Sequence, residues 1–201
     1  LINLSINAQD CYYEDYYHQV DLAKKEYKKR NFTEARKHFK KAFSSVNFPL
    51  GHDLSFALIT AKEIKDEQWM ETIAIQLAKG GIPLKYFNSY YTFNWHKAFK
   101  SNFKNYRKFY LDNFNIKLKE RWIALTLQEM IDDAYSLLNE LNDIVLSEGF
   151  PGEQKIGYLY IKGKNRIEPY GTFTLLLNTY LRGESIFKTG VPNLICNGKL
   201  P

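Results

Sequence analysis

Apolar side chains recur along this chain three or four residues apart, which is the spacing of an α-helix that buries one face. The pattern predicts four helices near the start of the chain, over residues 16–30, 33–44, 54–65 and 67–79. Asn31 and Phe32 mark the turn between the first two. Gly80 and Gly81 end the fourth, because glycine tolerates the left-handed backbone that often follows a helix.

Residues 84–114 combine aromatic and basic side chains. Phe99, Phe103, Tyr106 and Tyr110 are spaced for one helix face, and the lysines lie largely off that face. Interleaved basic and aromatic residues also occur on surfaces that bind nucleic acid. The pattern favours the simpler interpretation, an amphipathic helix with its aromatic face in the core.

The longest helical pattern covers residues 117–147 and ends at the Gly- and Pro-containing stretch 149–152. Its apolar positions are Ile123, Leu127, Met130, Ala134, Leu137, Leu141 and Ile144. Residues 155–166 predict either a short hairpin or an irregular helix start, and 170–181 predict a helix. The predicted fold class is therefore all-α, with antiparallel helical hairpins followed by a C-terminal helical domain built on a long helix. A short hairpin near 156–166 is one alternative within it.

Small and aromatic residues follow a recognisable order in the first two predicted helices. They are Leu22, Ala23, Ala35, Phe39 and Ala42. This order resembles the tetratricopeptide repeat, in which small residues let two antiparallel helices approach and an aromatic side chain fills the space beside them. Ala57 follows Ala23 by 34 residues, the period of that repeat. The resemblance covers about residues 14–82 and implies stacked hairpins with a concave surface that binds peptides or proteins.

The inner face of such a stack is lined mainly by the first helix of each pair. On that helix, positions outside the hairpin packing are predicted to contact a ligand: Tyr16, Gln19, Lys24 and Lys28. Tyrosine offers rigid contact area at a low entropic cost, and lysine can meet a carboxylate. An acidic segment suits these residues, supplied either by a partner or by the chain's own acidic helix at 129–143.

Charge is unevenly distributed over the 201 residues, whose net charge is +6. Residues 24–41 contain nine Lys or Arg, whereas 120–148 contain seven Asp or Glu and only one Arg. The two segments can face each other, which weakens any argument for nucleic-acid binding from net charge. Aromatic residues make up 16% of the chain, so intrinsic disorder is not expected.

No catalytic residue, metal site or cofactor is predicted. No two histidines have the helical spacing of a ligand pair, and the sequence has neither a phosphate-binding glycine loop nor a nucleophile elbow. Glu129, Asp132 and Asp133 could hold a hard cation, but a solvated face is favoured. A protein-binding scaffold is therefore preferred, with an enzyme of unrecognised catalytic residues and a nucleic-acid binder as alternatives.

The chain begins with an apolar stretch that contains Leu1, Ile2, Leu4 and Ile6 and leads to Ala8 and Gln9, which is typical of the end of a secretory signal peptide. We therefore expect residues 1–8 to be residual signal, 9–83 the helical hairpins and 84–201 the C-terminal domain, in a periplasmic or secreted protein without a transmembrane span. In an oxidising compartment Cys11 and Cys196 can form a disulfide. Two isolated cysteines are the alternative.

The stretch SEGFPGEQKIG at 147–157 lies between the long helical pattern and a leucine-rich helix, and a glycine-containing tail follows. This arrangement resembles an uncharacterised helical domain of exported bacterial proteins. Those relatives carry an Asp-Gln pair in the long helix, where this chain has Asp132, Asp133 and Ala134. They tend to have His after the leucines, where it has Asn178 and Thr179. The resemblance implies fold and export but no activity.

Overall fold

The computed structural model describes residues 11–128, 140, 143–168 and 191–198. Its N-terminal helices are α1 (Glu14–Lys28), α2 (Phe32–Ser44), α3 (Gly51–Glu63), α4 (Glu67–Lys79), α5 (Trp95–Asn113) and α6 (Ile116–Gln128), with a 3-10 helix at Leu84–Tyr90. Residues 143–148 are also helical. The short elements that follow are α7 (Glu153–Ile156), β1 (Leu159–Ile161), β2 (Arg166–Glu168) and α8 (Val191–Cys196). The predicted all-α fold class is confirmed.

Consecutive helices pack against each other as hairpins, α1 with α2 and α3 with α4. Ala23, Ala35 and Ala42 are fully buried, and their small side chains let α1 and α2 approach closely. The second helix begins at Phe32, one residue earlier than Thr33. The Asn31 side chain that precedes it donates a hydrogen bond to Glu26 of α1, at 2.9 Å, and so fastens the turn.

The main hydrophobic core runs through α1 to α5 and the 3-10 helix, and it includes Phe39, Leu58, Ile73 and Phe99. The predicted aromatic face of α5 is confirmed as its buried side. Tyr158 and Ile167 of the C-terminal segment belong to the same core. The C-terminal segment thus packs directly on the N-terminal hairpins.

The stretch after α7, which the sequence predicted as either a short hairpin or an irregular helix start, forms an antiparallel β-hairpin. Tyr160 pairs with Ile167 across it, and Asn165 adopts a left-handed backbone in the turn, with φ 48°. Strand β2 contacts α3. The hairpin alternative of the sequence prediction is therefore the observed one.

Residues of α6 build a smaller core with the C-terminal segment, in which Trp122 is fully buried beside Ile144 and Phe150. Helix α6 and the helical residues 143–148 match the two ends of the predicted pattern, but these ends contact each other: Trp122 shares a core with Ile144, and Arg121 pairs with Glu140 at 3.1 Å. Residues 19 positions apart on one straight helix would be about 28 Å apart. The predicted single long helix over 117–147 is therefore wrong. Four of its predicted apolar positions lie outside the described residues: Met130, Ala134, Leu137 and Leu141. The predicted signal remnant at 1–8 and the helix at 170–181 lie outside them as well.

A disulfide joins Cys11 to Cys196 and so links the start of α1 to the end of α8. The backbone N–H of Tyr13 donates to the Cys196 carbonyl at 3.0 Å beside it. Of the two alternatives that the sequence left open for these cysteines, pairing is the observed one. None of the helices in the described part of the chain combines the length and the apolar character that crossing a bilayer requires.

Candidate functional site

The C-terminal segment places a buried carboxyl group at the start of α3. Helix α7 begins at Glu153, whose side chain is only 7% exposed and accepts a 2.7 Å hydrogen bond from the Gly51 N–H. The first N–H groups of a helix have no intrahelical partner, so Glu153 satisfies one that would otherwise be unpaired. Burial, reinforced by Asp53, raises the pKa of Glu153 to about 8 against the opposing Gly51 bond.

A second buried carboxylate, Asp53, lies on the first turn of α3. It accepts a 2.8 Å hydrogen bond from the Tyr16 hydroxyl and forms a 2.6 Å ion pair with Lys24. Burial alone would raise the pKa of Asp53, but His52, Lys24 and Tyr16 outweigh it and lower that pKa. Burial raises the pKa of Tyr16 well above its ordinary value, so Tyr16 stays neutral and donates.

Tyr158 anchors the same segment from the other side of the α3 N-terminus. Its hydroxyl donates to the Pro49 carbonyl at 3.0 Å, and its backbone N–H donates to the Gly80 carbonyl at 2.8 Å. Lys119 of α6 donates to the Tyr158 carbonyl at 2.7 Å. Burial lowers the pKa of Lys119 to about 8, and the charge of Arg107 lowers it further.

These groups form a polar network around the start of α3, in which Lys24 and Lys119 are half-buried and the other members are buried: Tyr16, Asp53, Glu153 and Tyr158. Perturbed carboxyl and amino groups are also found in catalytic sites. Here each interaction joins two different elements of the fold. The network therefore holds residues 153–158 against α3 and α6.

The structure revises the expected orientation of α1. Tyr16 is fully buried, and Gln19 is buried with its side-chain oxygen 2.9 Å from Nδ1 of His38 on α2. The expectation that these two residues lie outside the helix packing is wrong, because α1 contacts both α2 and α3. Lys24 is 31% exposed, and its ammonium group is held by Asp53. Of the four predicted contacts, only Lys28 is exposed.

Cations of the basic segment pair with carboxylates of the N-terminal helices. Lys24 bridges α1 to α3, and Arg36 of α2 pairs with Asp66 at the start of α4. The acidic helix that the sequence offered as an internal partner lies almost wholly outside the described residues. Lys24 and Arg36 therefore form ion pairs within the fold, with carboxylates other than those of the acidic segment 129–143.

An open cavity of about 420 Å³ lies at the tip of the first hairpin, beside the end of α3. Its lining residues are Tyr27, Lys28, Arg30, Phe32 and Glu63. Tyr27 and Phe32 meet edge to face with ring centroids 5.5 Å apart, so the two rings brace each other. Lys28, Arg30 and Glu63 are exposed at the rim.

This cavity combines apolar area with a net positive rim, which suits a peptide that carries carboxylates. Lys28 is a predicted ligand contact and Phe32 a predicted turn residue, whereas Arg30 and Glu63 were not predicted to line the same cavity. Arg30 has a left-handed backbone, with φ 60°, at the turn after α1. Glu63 is the last residue of α3. They meet only because α3 packs beside the first hairpin, and no local sequence pattern signals that contact.

Metal binding has no support from the residues that the structure describes, which contain no group of three or more His, Cys, Asp or Glu side chains placed to hold an ion. The cluster of Glu129, Asp132 and Asp133 that the sequence offered for a hard cation lies outside those residues. Comparison with known protein families, with curated proteins and with solved structures gives no match for this chain.

Proposed function

We propose that this protein is an exported protein-binding scaffold of tetratricopeptide-like hairpins, which binds an acidic peptide segment at the tip of its first hairpin. The observation that carries the proposal is the cavity lined by Tyr27, Lys28, Arg30, Phe32 and Glu63. The cavity brings together Lys28, which is a predicted ligand contact, a second cation, Arg30, and two aromatic side chains.

The chemistry of the rim favours carboxylates. An exposed guanidinium such as Arg30 can bind a carboxylate through two parallel hydrogen bonds, and Lys28 adds a second positive charge. Glu63 is the one carboxylate of the lining, and it can accept N–H groups from a peptide backbone. Tyr27 and Phe32 provide rigid area for an apolar or aromatic side chain of the ligand.

The binding surface proposed here differs from the inner groove that the repeat resemblance implied. Tyr16 and Lys24 are engaged by Asp53 on that side, and β2 packs on α3. Part of that surface is therefore already in contact with the chain's own α3 and β-hairpin. Lys28 lies at the end of α1, away from this network, and stays the predicted ligand contact.

The proposal of export is supported by the disulfide between Cys11 and Cys196, because such bonds persist mainly in oxidising compartments. It is tested by N-terminal sequencing of protein isolated from its own host. We expect a mature chain that starts at or near Gln9. A chain that retains Leu1 would contradict processing at Ala8.

Peptide binding is tested by fluorescence anisotropy with defined peptides. One peptide contains Glu and Phe, and its counterpart has Lys in place of each Glu. We expect the acidic peptide alone to bind, and the double reversal Lys28→Glu with Arg30→Glu to weaken it by about tenfold or more. The matched control is Lys37→Glu with Lys41→Glu, two exposed positions of α2 with the same change in charge. Equal weakening in both variants would contradict a site at the tip.

A further inference from the structure

Five cationic side chains lie along one flank of α5, and all five are exposed: Lys97, Lys100, Lys104, Arg107 and Lys108. Each residue of an α-helix is rotated by about 100° from the one before, so these five fall within a sector of roughly 100°. The helix has a single acidic residue, Asp112, which pairs with Lys108 at 2.6 Å at the edge of this sector.

Three of the five cations, Lys97, Lys100 and Lys104, are not explained by the packing of α5, whereas Arg107 lies over the Tyr110 ring at 4.8 Å from its centre. The opposite face supplies the core contacts, with Phe99 and Tyr110 buried and Phe103 and Tyr106 packed against the same core. Within the part of the chain that the structure describes, the ion pairs include none that involves Lys97, Lys100 or Lys104. Concentrated charge of one sign on a solvated face attracts an oppositely charged partner.

We propose that this flank of α5 binds the surface of membranes that contain anionic phospholipids. Leu111 lies inside the cationic sector and is 50% exposed, so an apolar side chain stands among the cations. A helix lying on a membrane can insert such a side chain below the phosphates while the cations stay at headgroup level.

A nucleic-acid partner is disfavoured by the same geometry. Surfaces that bind single strands present aromatic rings on which bases stack. The cationic sector of α5 contains no aromatic residue, and Phe109 lies on the other flank with the Lys79 ammonium 5.1 Å from its ring centre. The sector is also straight, and Lys97 to Lys108 span about 17 Å along the helix axis, which suits a flat charged surface.

The expected strength follows from the number of cations. A Lys or Arg close to an anionic membrane surface raises the binding constant by about fivefold, so three of them account for roughly a hundredfold. Salt should weaken the interaction because these charges are exposed to solvent. The surface is separate from the cavity at the tip of α1 and α2, and either proposal can fail alone.

The test is co-sedimentation of the full chain with vesicles, either of phosphatidylcholine alone or of equal parts phosphatidylcholine and phosphatidylglycerol. We expect binding to the anionic vesicles only. The variant Lys97→Gln, Lys100→Gln, Lys104→Gln should bind them about a hundredfold more weakly. Its matched control neutralises three exposed lysines of the first hairpin, Lys25, Lys37 and Lys41, and should bind almost as well as the wild type.

A second variant tests insertion separately. Leu111→Gln keeps every charge and should weaken vesicle binding by up to about tenfold, because it removes an apolar side chain from the membrane interface. Equal losses in the α5 variant and its control, or binding to oligonucleotides without binding to vesicles, would overturn the proposal. Unchanged thermal midpoints of the variants establish that the fold is intact in each comparison.

Discussion

The carboxyl group of Glu153 is buried in the folded protein, so its pKa differs between the folded and the unfolded state. Its pKa of about 8 in the folded protein lies above the ordinary 4.5, so the folded state holds this proton more firmly than the unfolded state. The stability that it contributes is complete below about pH 4.5 and is lost as the pH rises through about 8. Lys119 has its lowered pKa at about 8, so its charge starts to change only at the upper end of this window.

The variant Glu153→Gln isolates this effect, because glutamine keeps an oxygen that can accept the Gly51 N–H and cannot ionise. The wild type should lose free energy of unfolding between about pH 5 and pH 8, and the variant should lose up to about 4 kcal/mol less over that range. Denaturant unfolding at both pH values measures the difference. Glu14→Gln, at an exposed position of α1, is the control and should follow the wild type. A parallel decline in Glu153→Gln would mean that the carboxyl group is not responsible.

The contacts of individual side chains in the polar network around the start of α3 could not be predicted from the sequence. Tyr16 and Gln19 would face solvent if α1 packed on α2 alone. They are buried because α1 packs on both α2 and α3. Glu153 meets Gly51 across 102 residues of chain. Contacts at that separation depend on how elements are arranged in space, and hydrophobic periodicity describes only one element at a time.

At the scale of elements, the hairpin β1–β2 and its leading residue Tyr158 act as a wedge between α3 and α4. The Tyr158 ring lies against Gly51 and Gly80, where an added Cβ would overlap the ring carbons. Gly80 has φ −87°, which alanine tolerates, so the space and not the backbone conformation requires glycine there.

Gly80→Ala should therefore lower the free energy of unfolding by about 1–3 kcal/mol through overpacking. Thermal melting measures the loss, and Tyr158→Leu in the same background should recover part of it, since the two residues are in contact. Gly163→Ala in the hairpin turn is the control, because an added Cβ meets nothing within 4 Å there. Additive losses from Gly80→Ala and Tyr158→Leu would show that the wedge contact is absent.

The α1–α2 hairpin depends on small residues at its contact. Ala35 is fully buried, so Ala35→Trp should cost roughly 1–3 kcal/mol or more and lower the thermal midpoint. Thr33→Trp places the same ring at an exposed position of α2 and should have little effect. An unchanged midpoint in Ala35→Trp would contradict close packing of the two helices.

Helices of the N-terminal half could be predicted within about a turn, because each buries a regular apolar stripe. The β-hairpin could not be separated from an irregular helix. Its strands have three residues each, and its buried positions, Tyr158 and Ile167, face a core that belongs to other elements. The 3-10 helix between α4 and α5 has no periodic signal for the same reason, since Tyr86 and Phe87 pack into a core formed elsewhere.

At the scale of the whole molecule, the disulfide closes a loop between residues separated by 185 positions. Closing so long a loop restricts the unfolded chain and can stabilise the folded state by about 4–5 kcal/mol. For a chain of this size, that corresponds to a thermal midpoint about 8–20 °C higher in the oxidised protein than in the reduced protein. Melting with and without reductant measures the shift.

The variant Cys11→Ser is the control for the disulfide, because its midpoint should match that of the reduced wild type and should not respond to reductant. If oxidised and reduced wild type melt at the same temperature, the bond does not stabilise the fold. The pairing itself could be foreseen only as one of two alternatives, since the separation of two cysteines in sequence does not reveal their distance in space.

The central claim is that the cavity at the tip of the first hairpin binds an acidic segment. Amide chemical-shift mapping of the protein, titrated with the acidic peptide, tests it most directly because it reports where the ligand lies. We predict saturable shifts centred on Tyr27, Lys28, Arg30, Phe32 and Glu63, and their loss in Lys28→Glu with Arg30→Glu. Shifts centred on the cationic flank of α5, or no saturable shifts at all, would contradict the account.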